Sequence, residues 1–368
     1  MPIHLTAIVD PRAEAWARLQ LSGLAPRPLV DLLRAFGNPE AVLAATSAQR
    51  RRHVPAAAAA RLDAPPDEER LAATLSWLRE PRHDLIAWGD PDYPVPLLEI
   101  SDPPPVFYCM GRRELLAGPA FAIVGSRNAT PQGCADAEAF GAALSATGFT
   151  IVSGLATGID AAAHRGGLTG AGSSIAVIGT GPDRVYPARN RDLAHDLAAR
   201  GLVVSEFAIG TPPQKQNFPR RNRLVSGLSR GVLVVEATLS SGSLITARFA
   251  GEQGREVFAL PGSIHSPFSK GGHKLIREGA KLVETAQDIL DELGVAGRAP
   301  AAADPNTSTE PDAAMRAVLR ALGHDPADVD TLAARTALSI AATVGALTAL
   351  ELEQKVAPLP GGLWQRLG

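Results

Sequence analysis

The sequence predicts an α/β protein built on a Rossmann-like, doubly wound, mainly parallel sheet, with a small N-terminal helical domain and a C-terminal winged-helix-like domain. Three observations predict it. Short β-branched runs alternate with helical stretches between about residues 118 and 293, and helix-period apolar spacing without such runs precedes them. Three helical segments and an apolar, Pro/Gly, apolar stretch close the chain.

The length of 368 residues fits two or three domains at about 100 to 200 residues each. Hydrophobic residues at 45%, charged residues at 20% and a mean hydropathy of +0.03 exclude wholesale disorder and leave enough apolar material for a large core. Aromatics make up only 5%, so that core is expected to be aliphatic. Cys109 and Cys134 belong to no CxxC or Cys/His spacing, which argues against a zinc module or disulfide framework. The N-terminus, MPIHLTAIVDPRAEAW, lacks a basic segment followed by an apolar one and reads as that of a cytoplasmic protein. The longest uncharged run, Thr336 to Leu350, has 15 residues against the roughly 20 that span a bilayer, so no membrane association is expected.

Residues 1–80 place Leu29, Leu32, Leu33 and Phe36 at helical spacing, then Gly-Asn-Pro, then another short helix. This order looks like a SAM or helix-hairpin-helix module. Ala25 stands where a duplex-binding hairpin would carry a glycine, which favours a packing role. The run Arg50, Arg51, Arg52, His53 reads as a solvated helix end.

Residues 81–293 carry the sheet. Apolar runs at 121–127, 150–156, 174–180, 202–207, 231–237, 256–262 and 280–285 are continuous and do not alternate, as expected of strands covered on both faces. Runs at 84–89 and 105–111 predict extra edge strands. Residues 294–311 read as a flexible linker, and 312–368 as the winged helix. Its expected recognition helix, Leu338 to Gln354, has no Lys or Arg and two glutamates, which favours protein contact or regulation over duplex binding.

In such a sheet, ligands bind beyond the strands' carboxyl ends. There the sequence puts Gly125-Ser126-Arg127, a Ser153–Gly158 loop including Gly154, Thr157 and Gly158, then Gly179-Thr180-Gly181, and Ser241-Gly242-Ser243. Small residues let backbone amides approach an anion, and helix N-termini add positive potential, so phosphate is the expected ligand. The first strand leads into GSRNATPQG and not GxGxxG, which argues against NAD. From 208 to 234 there are five basic residues, Lys215, Arg220, Arg221, Arg223 and Arg230, and no acids, with Phe218 among them. Cations beside an aromatic suit a single strand. Glu206, Glu236, Asp160 and His164 could serve catalysis, yet Asp160 suits a helix start and His164 has no companion at ligand spacing. No catalytic set or metal site is assembled.

The motifs VGSRNAT, IVSGLATGIDAAAH, AVIGTGPDRVYPARN, NFPRRNRLVSGLSRGVLVVEA, SGSLITA, GREVFALPGS and SKGGHKLIREGAKLV, spread over about 84 to 285, resemble the bacterial DNA-processing protein DprA (Smf) family. The resemblance implies a single-stranded DNA-binding protein that protects incoming DNA and helps load RecA during natural transformation of competent cells. It implies that Gly125, Ser126 and Arg127 contact a phosphate. Lys215 and Phe218 match cationic and base-stacking positions, the Arg221-Asn222-Arg223 run lines the same pocket, and Arg189 is a further contact. It implies no enzyme activity and no cofactor. It also implies a homodimer through the region of His273, Ile276 and Leu282, with a RecA-binding surface nearby. The alternative is a nucleotide-cleaving, phosphoribohydrolase-like enzyme using the same loops, but its PGGxGTxxE signature is missing, with PGS at 261–263.

Overall fold

A computed structural model describes residues 11–295, 313–323 and 325–367. The expectations for the first ten residues, and for the linker from residue 296 onward, lie outside the described residues. Nine strands form one sheet: β1 His83–Ala87, β2 Val106–Gly111, β3 Ala120–Val124, β4 Thr150–Ser153, β5 Ser174–Val177, β6 Leu202–Ser205, β7 Gly231–Val234, β8 Glu256–Ala259 and β9 Lys281–Leu282. Their order is β1-β2-β6-β5-β4-β3-β7-β8-β9. The strands from β6 across to β9 run parallel, and β1 and β2 add an antiparallel edge beside β6.

Every residue of β3 to β7 is buried, which explains the absence of polar alternation. Side chains still alternate between faces with a period of two. Ala122, Val124, Val152, Val232 and Val234 meet Leu224 and Ala247 on one side; Phe121, Ile123, Ile151 and Leu233 meet Ala137, Leu144 and Ile289 on the other. Each such aliphatic side chain contributes about 1.5–3 kcal/mol on full burial. The chain fills β3 to β6 in one direction and returns to place β7 on the other side of β3. The strand order therefore reverses between β3 and β7.

The N-terminal helices bury Trp16, Leu19, Leu29, Leu32, Leu33 and Val42 against Ala87 of β1 and Val106 of β2. The Gln20 amide donates to the Glu206 carbonyl at 2.9 Å and accepts from the Tyr108 hydroxyl, so this layer buttresses the antiparallel edge. Asn38 of the Gly-Asn-Pro turn caps helix Pro39–Ala44 by accepting from the Ala41 amide at 2.7 Å. The basic run is corrected at its first residue. Arg51, Arg52 and His53 are exposed, but Arg50 is buried, donating to the Ala45 carbonyl and pairing with Asp63 at 3.2 Å. A guanidinium can leave solvent only where fixed acceptors meet its five donors, and the turn before Arg50 supplies one.

At the C-terminus, helices Ala313–Leu322, Val329–Thr336 and Ile340–Leu352 pack on a three-stranded sheet of β10 Ala327–Asp328, β11 Val356–Leu359 and β12 Leu363–Arg366, ordered β10-β12-β11. The turn between β11 and β12 uses Gly361 and Gly362 at φ 86° and 76°, where a β-carbon would be strained. This is the expected winged helix. Among the described residues no single helix is long and apolar enough to cross a membrane. Helices Val329–Thr336 and Ile340–Leu352 meet at 108° and bury Leu332, Leu347 and Leu350.

Candidate functional site

The reversal between β3 and β7 opens a crevice at the strands' carboxyl ends, where doubly wound folds bind ligands. After β3 the chain turns through Gly125-Ser126-Arg127-Asn128, and Thr130 caps helix Pro131–Ala146 by accepting from the Gly133 amide at 3.0 Å. Glu236, just past β7, accepts from the Thr130 amide at 2.9 Å and hydroxyl at 2.6 Å, and its carbonyl accepts from the Ser126 amide at 2.7 Å. The two sides of the crevice are thereby tied together. The resulting cleft has a volume of about 640 Å³ and draws its lining from the loops after β3, β4 and β7 and from helix Asn217–Gly227.

The loop after β4 is held from beneath. Arg221, 4% exposed, donates to the carbonyls of Gly154 and Val177, and a β-carbon on Gly154 would collide with its guanidinium. Asp160 accepts from the amides of Gly154 and Ala156 at 3.2 and 3.3 Å, serving the loop and not its own helix. Burial raises its pKa, against the pull of Arg221 and of these amides. The Leu155 amide donates to Nε2 of His164 at 3.2 Å, which requires the proton on Nδ1, and Nδ1 donates to the Ser174 hydroxyl at 2.7 Å. Burial, with Arg221 and Arg165 nearby, pushes the imidazole down to about 3. Burial also pushes Arg221 down to about 10, so at neutral pH it keeps its charge. Gly158 lies behind the loop at φ 75°, where a β-carbon would strike the Ser126 carbonyl oxygen.

Available charge sits above this layer. Arg127, Lys215 and Arg189 are exposed, and among the described residues none has an ion-pair partner. The Arg127 guanidinium lies 5.5 Å from the centroid of the Phe218 ring, within cation–π range. Tyr186, 45% exposed, has its ring centroid 5.6 Å from that of Phe218, the rings tilted by 38°. The serine loop Ser241-Gly242-Ser243 opens helix Ser243–Glu252 on the opposite wall and presents its N-terminus to the cleft. An anion entering here meets exposed cations, a helix terminus and an aromatic surface.

The cleft brings together Gly125, Ser126, Arg127, Gly154, Lys215, Phe218, Arg221, Asn222, Ser241, Gly242 and Ser243. Thr157 and Arg189 line a smaller adjoining cavity of about 160 Å³. Arg223 is a correction. It points away from the cleft, buried, and pairs with Glu206 and, at 3.3 Å, with Asp102. Successive helical residues project about 100° apart, so a run of arginines cannot share one wall. Glu206 is occupied by Arg223 and Arg220. His273 and Ile276 lie on helix Lys270–Arg277 and Leu282 on the edge strand β9, away from the cleft, with Leu282 51% exposed. Sequence reasoning missed Tyr186, although an aromatic between Arg184 and Arg189 was a usable signal. Cys109 is a buried thiol and Cys134 a half-buried one, both pushed up chiefly by burial, as inert thiols are.

Fold and cleft together define a class: an α/β protein with an anion-ready crevice at the switch point of a doubly wound sheet, carrying an appended winged helix. Residues 84–294 match the family described as DNA recombination-mediator protein A, and residues 298–362 match the DprA winged helix domain. The chain belongs to the DprA (Smf) family. It is 43% identical to Protein Smf of Escherichia coli over 298 residues, 79% of this chain and 80% of that protein. The crystal structure of DNA processing protein A from Streptococcus pneumoniae superposes with a TM-score of 0.68 at 38% identity, covering 77% of this chain and 99% of that one. DNA processing protein A from Helicobacter pylori, a protein with a described single-stranded DNA binding mode, matches with a TM-score of 0.53 at 31% identity, over 58% of this chain and 95% of that one.

Proposed function

We propose that this protein binds single-stranded DNA in the switch-point cleft, protects incoming DNA during natural transformation and helps place RecA on it, acting in the cytoplasm as a homodimer through the surface around His273, Ile276 and Leu282. One observation carries the DNA part: Arg127 and Lys215, unpaired among the described residues, line the cleft with the half-buried ring of Phe218 and the exposed ring of Tyr186. Cations that track phosphates beside rings that stack on bases suit a single strand better than a duplex, whose bases are already stacked. The likeness to the Helicobacter pylori protein supports the same ligand. The partly exposed Ile276 and exposed Leu282, beside the open edge of β9, support the homodimer.

A binding role is favoured over nucleotide cleavage because the acids at the crest are engaged. Asp160 holds loop amides, and Glu236 holds Thr130. The test is fluorescence anisotropy with labelled oligo-dT and a matching duplex at several salt concentrations. Wild type should prefer the single strand. Arg127→Ala and Lys215→Ala should each weaken it and reduce the salt slope by about 0.7 per lost phosphate contact. Equal affinity for both DNAs, or unchanged slopes in both variants, would refute the assignment.

A further inference from the structure

The three tyrosines of this chain are treated differently by the fold. Tyr93 and Tyr108 are buried, and their hydroxyls donate to the Pro104 carbonyl at 2.8 Å and to Gln20. Tyr186 is 45% exposed, and its hydroxyl makes no hydrogen bond among the described residues. Phe218 is seated from below, where the absent β-carbon of Gly179 leaves room for its ring. Tyr186 packs beside it, with ring centroids 5.6 Å apart and planes tilted by 38°, so the two rings form one aromatic patch. Here Val185, 38% exposed, precedes the ring and leaves its outer side to solvent.

Tyr186 and Phe218 both line the main cleft and the adjoining cavity, as do Arg127 and Arg221. The two spaces are therefore one groove with the ring pair at its junction. Lys215 and the serine loop stand on one side of that junction and Arg189 on the other. A strand whose phosphates run from Lys215 past Arg127 to Arg189 must carry a base across the rings. We infer that Tyr186 is a base-stacking residue, forming with Phe218 a two-ring aromatic patch over which the single strand passes from the main cleft into the Arg189 cavity. This inference rests on the single-strand reading of the cleft and adds a contact to it. Its energy comes from bases, not phosphates, which separates it from the cations.

Stacking on one ring changes affinity by roughly five-fold to more than a hundred-fold. For a half-exposed, tilted ring the lower part of that range applies, about ten-fold. The test uses the full chain and two labelled strands of equal length, oligo-dT and an abasic oligonucleotide, titrated at several salt concentrations. Tyr186→Ala should weaken oligo-dT by about ten-fold, leave the salt slope unaltered and leave abasic binding where it was. Tyr186→Phe should restore most of the lost affinity, since the face and not the hydroxyl makes the contact.

Three results would overturn the inference. Oligo-dT binding that is the same in Tyr186→Ala and wild type, while Arg127→Ala weakens it, removes Tyr186 and leaves the single-strand reading standing. An equal loss on the abasic strand, or a reduced salt slope, means that Tyr186 acts by arranging the cations. Absence of oligo-dT binding by wild type removes the single-strand reading and this inference with it.

Discussion

Replacing His164 with glutamine should flatten the acid side of the stability curve. The imidazole is fully buried and neutral, its pKa driven from an ordinary 6.5 to about 3 first by burial and then by Arg221 and Arg165. Protonating Nε2 would also break its bond from the Leu155 amide. A base with a depressed folded pKa leaves the unfolded chain holding one more proton between about pH 3 and 6.5. Stability contributed by neutral His164 is therefore complete above pH 6.5 and falls with pH below it, by about 1.4 kcal/mol per unit. From pH 7.5 to 5.0 the loss is about 2 kcal/mol. His164→Gln keeps a side-chain oxygen that can accept from Leu155 and has no proton to gain. Urea unfolding of both proteins at the two pH values gives four free energies. Whatever the variant costs at pH 7.5, the wild-type advantage should shrink by about 2 kcal/mol at pH 5.0. An advantage of the same size at both pH values would refute the burial argument, because it would mean that the imidazole titrates alike in both states.

Two further outcomes follow from the same geometry. Arg223→Ala should destabilise the fold by about 3 kcal/mol, the low end for a broken buried pair because Arg220 still faces Glu206, and should leave the DNA salt slope unchanged. Denaturant titration and anisotropy check it, and an intact fold with a reduced slope would return Arg223 to the cleft. Asp136 is raised to about 6, chiefly by burial and against a hydrogen bond from Gln132. A carboxyl with a raised folded pKa costs stability as pH climbs from about 4 to 6, so Asp136→Asn should stabilise at pH 7 by about 1–2 kcal/mol after allowing for partial exposure. Thermal melts should show the gain shrinking at pH 4.5, and a gain independent of pH would refute this.

The sheet was legible because burial on both faces leaves a local trace: Phe121 to Val124 and Val232 to Val235 contain no polar residue to confuse the period. The crest loops were legible for a similar reason, since a close approach to Arg221 or a positive φ restricts Gly154 and Gly158 whatever lies elsewhere. What a helical arginine meets left no such trace. Arg221 and Arg223 are two residues apart, yet one finds carbonyls just after β4 and at the end of β5, and the other finds Glu206 after β6 and Asp102 in the Pro-rich stretch. Arg50 differs from Arg51 for the same reason. Tyr186 reaches Phe218 only because two separate crossovers end at one crest.

This changes which charges matter. The basic run within 208–234 looks like the site in sequence, but Arg220, Arg221 and Arg223 are spent on Glu206 and on the carbonyls of the strand ends, and Arg230 donates to the Leu293 carbonyl, leaving Lys215 available to a ligand. The other unpaired cations that line the groove among the described residues, Arg127 and Arg189, come from loops after β3 and β5. Each of these cations is set on its own loop by its own strand, so the charge around the groove is distributed by the sheet and not by one helix. The buried arginines and His164 then serve the site indirectly, by holding the strand ends at the separation from which the free cations project.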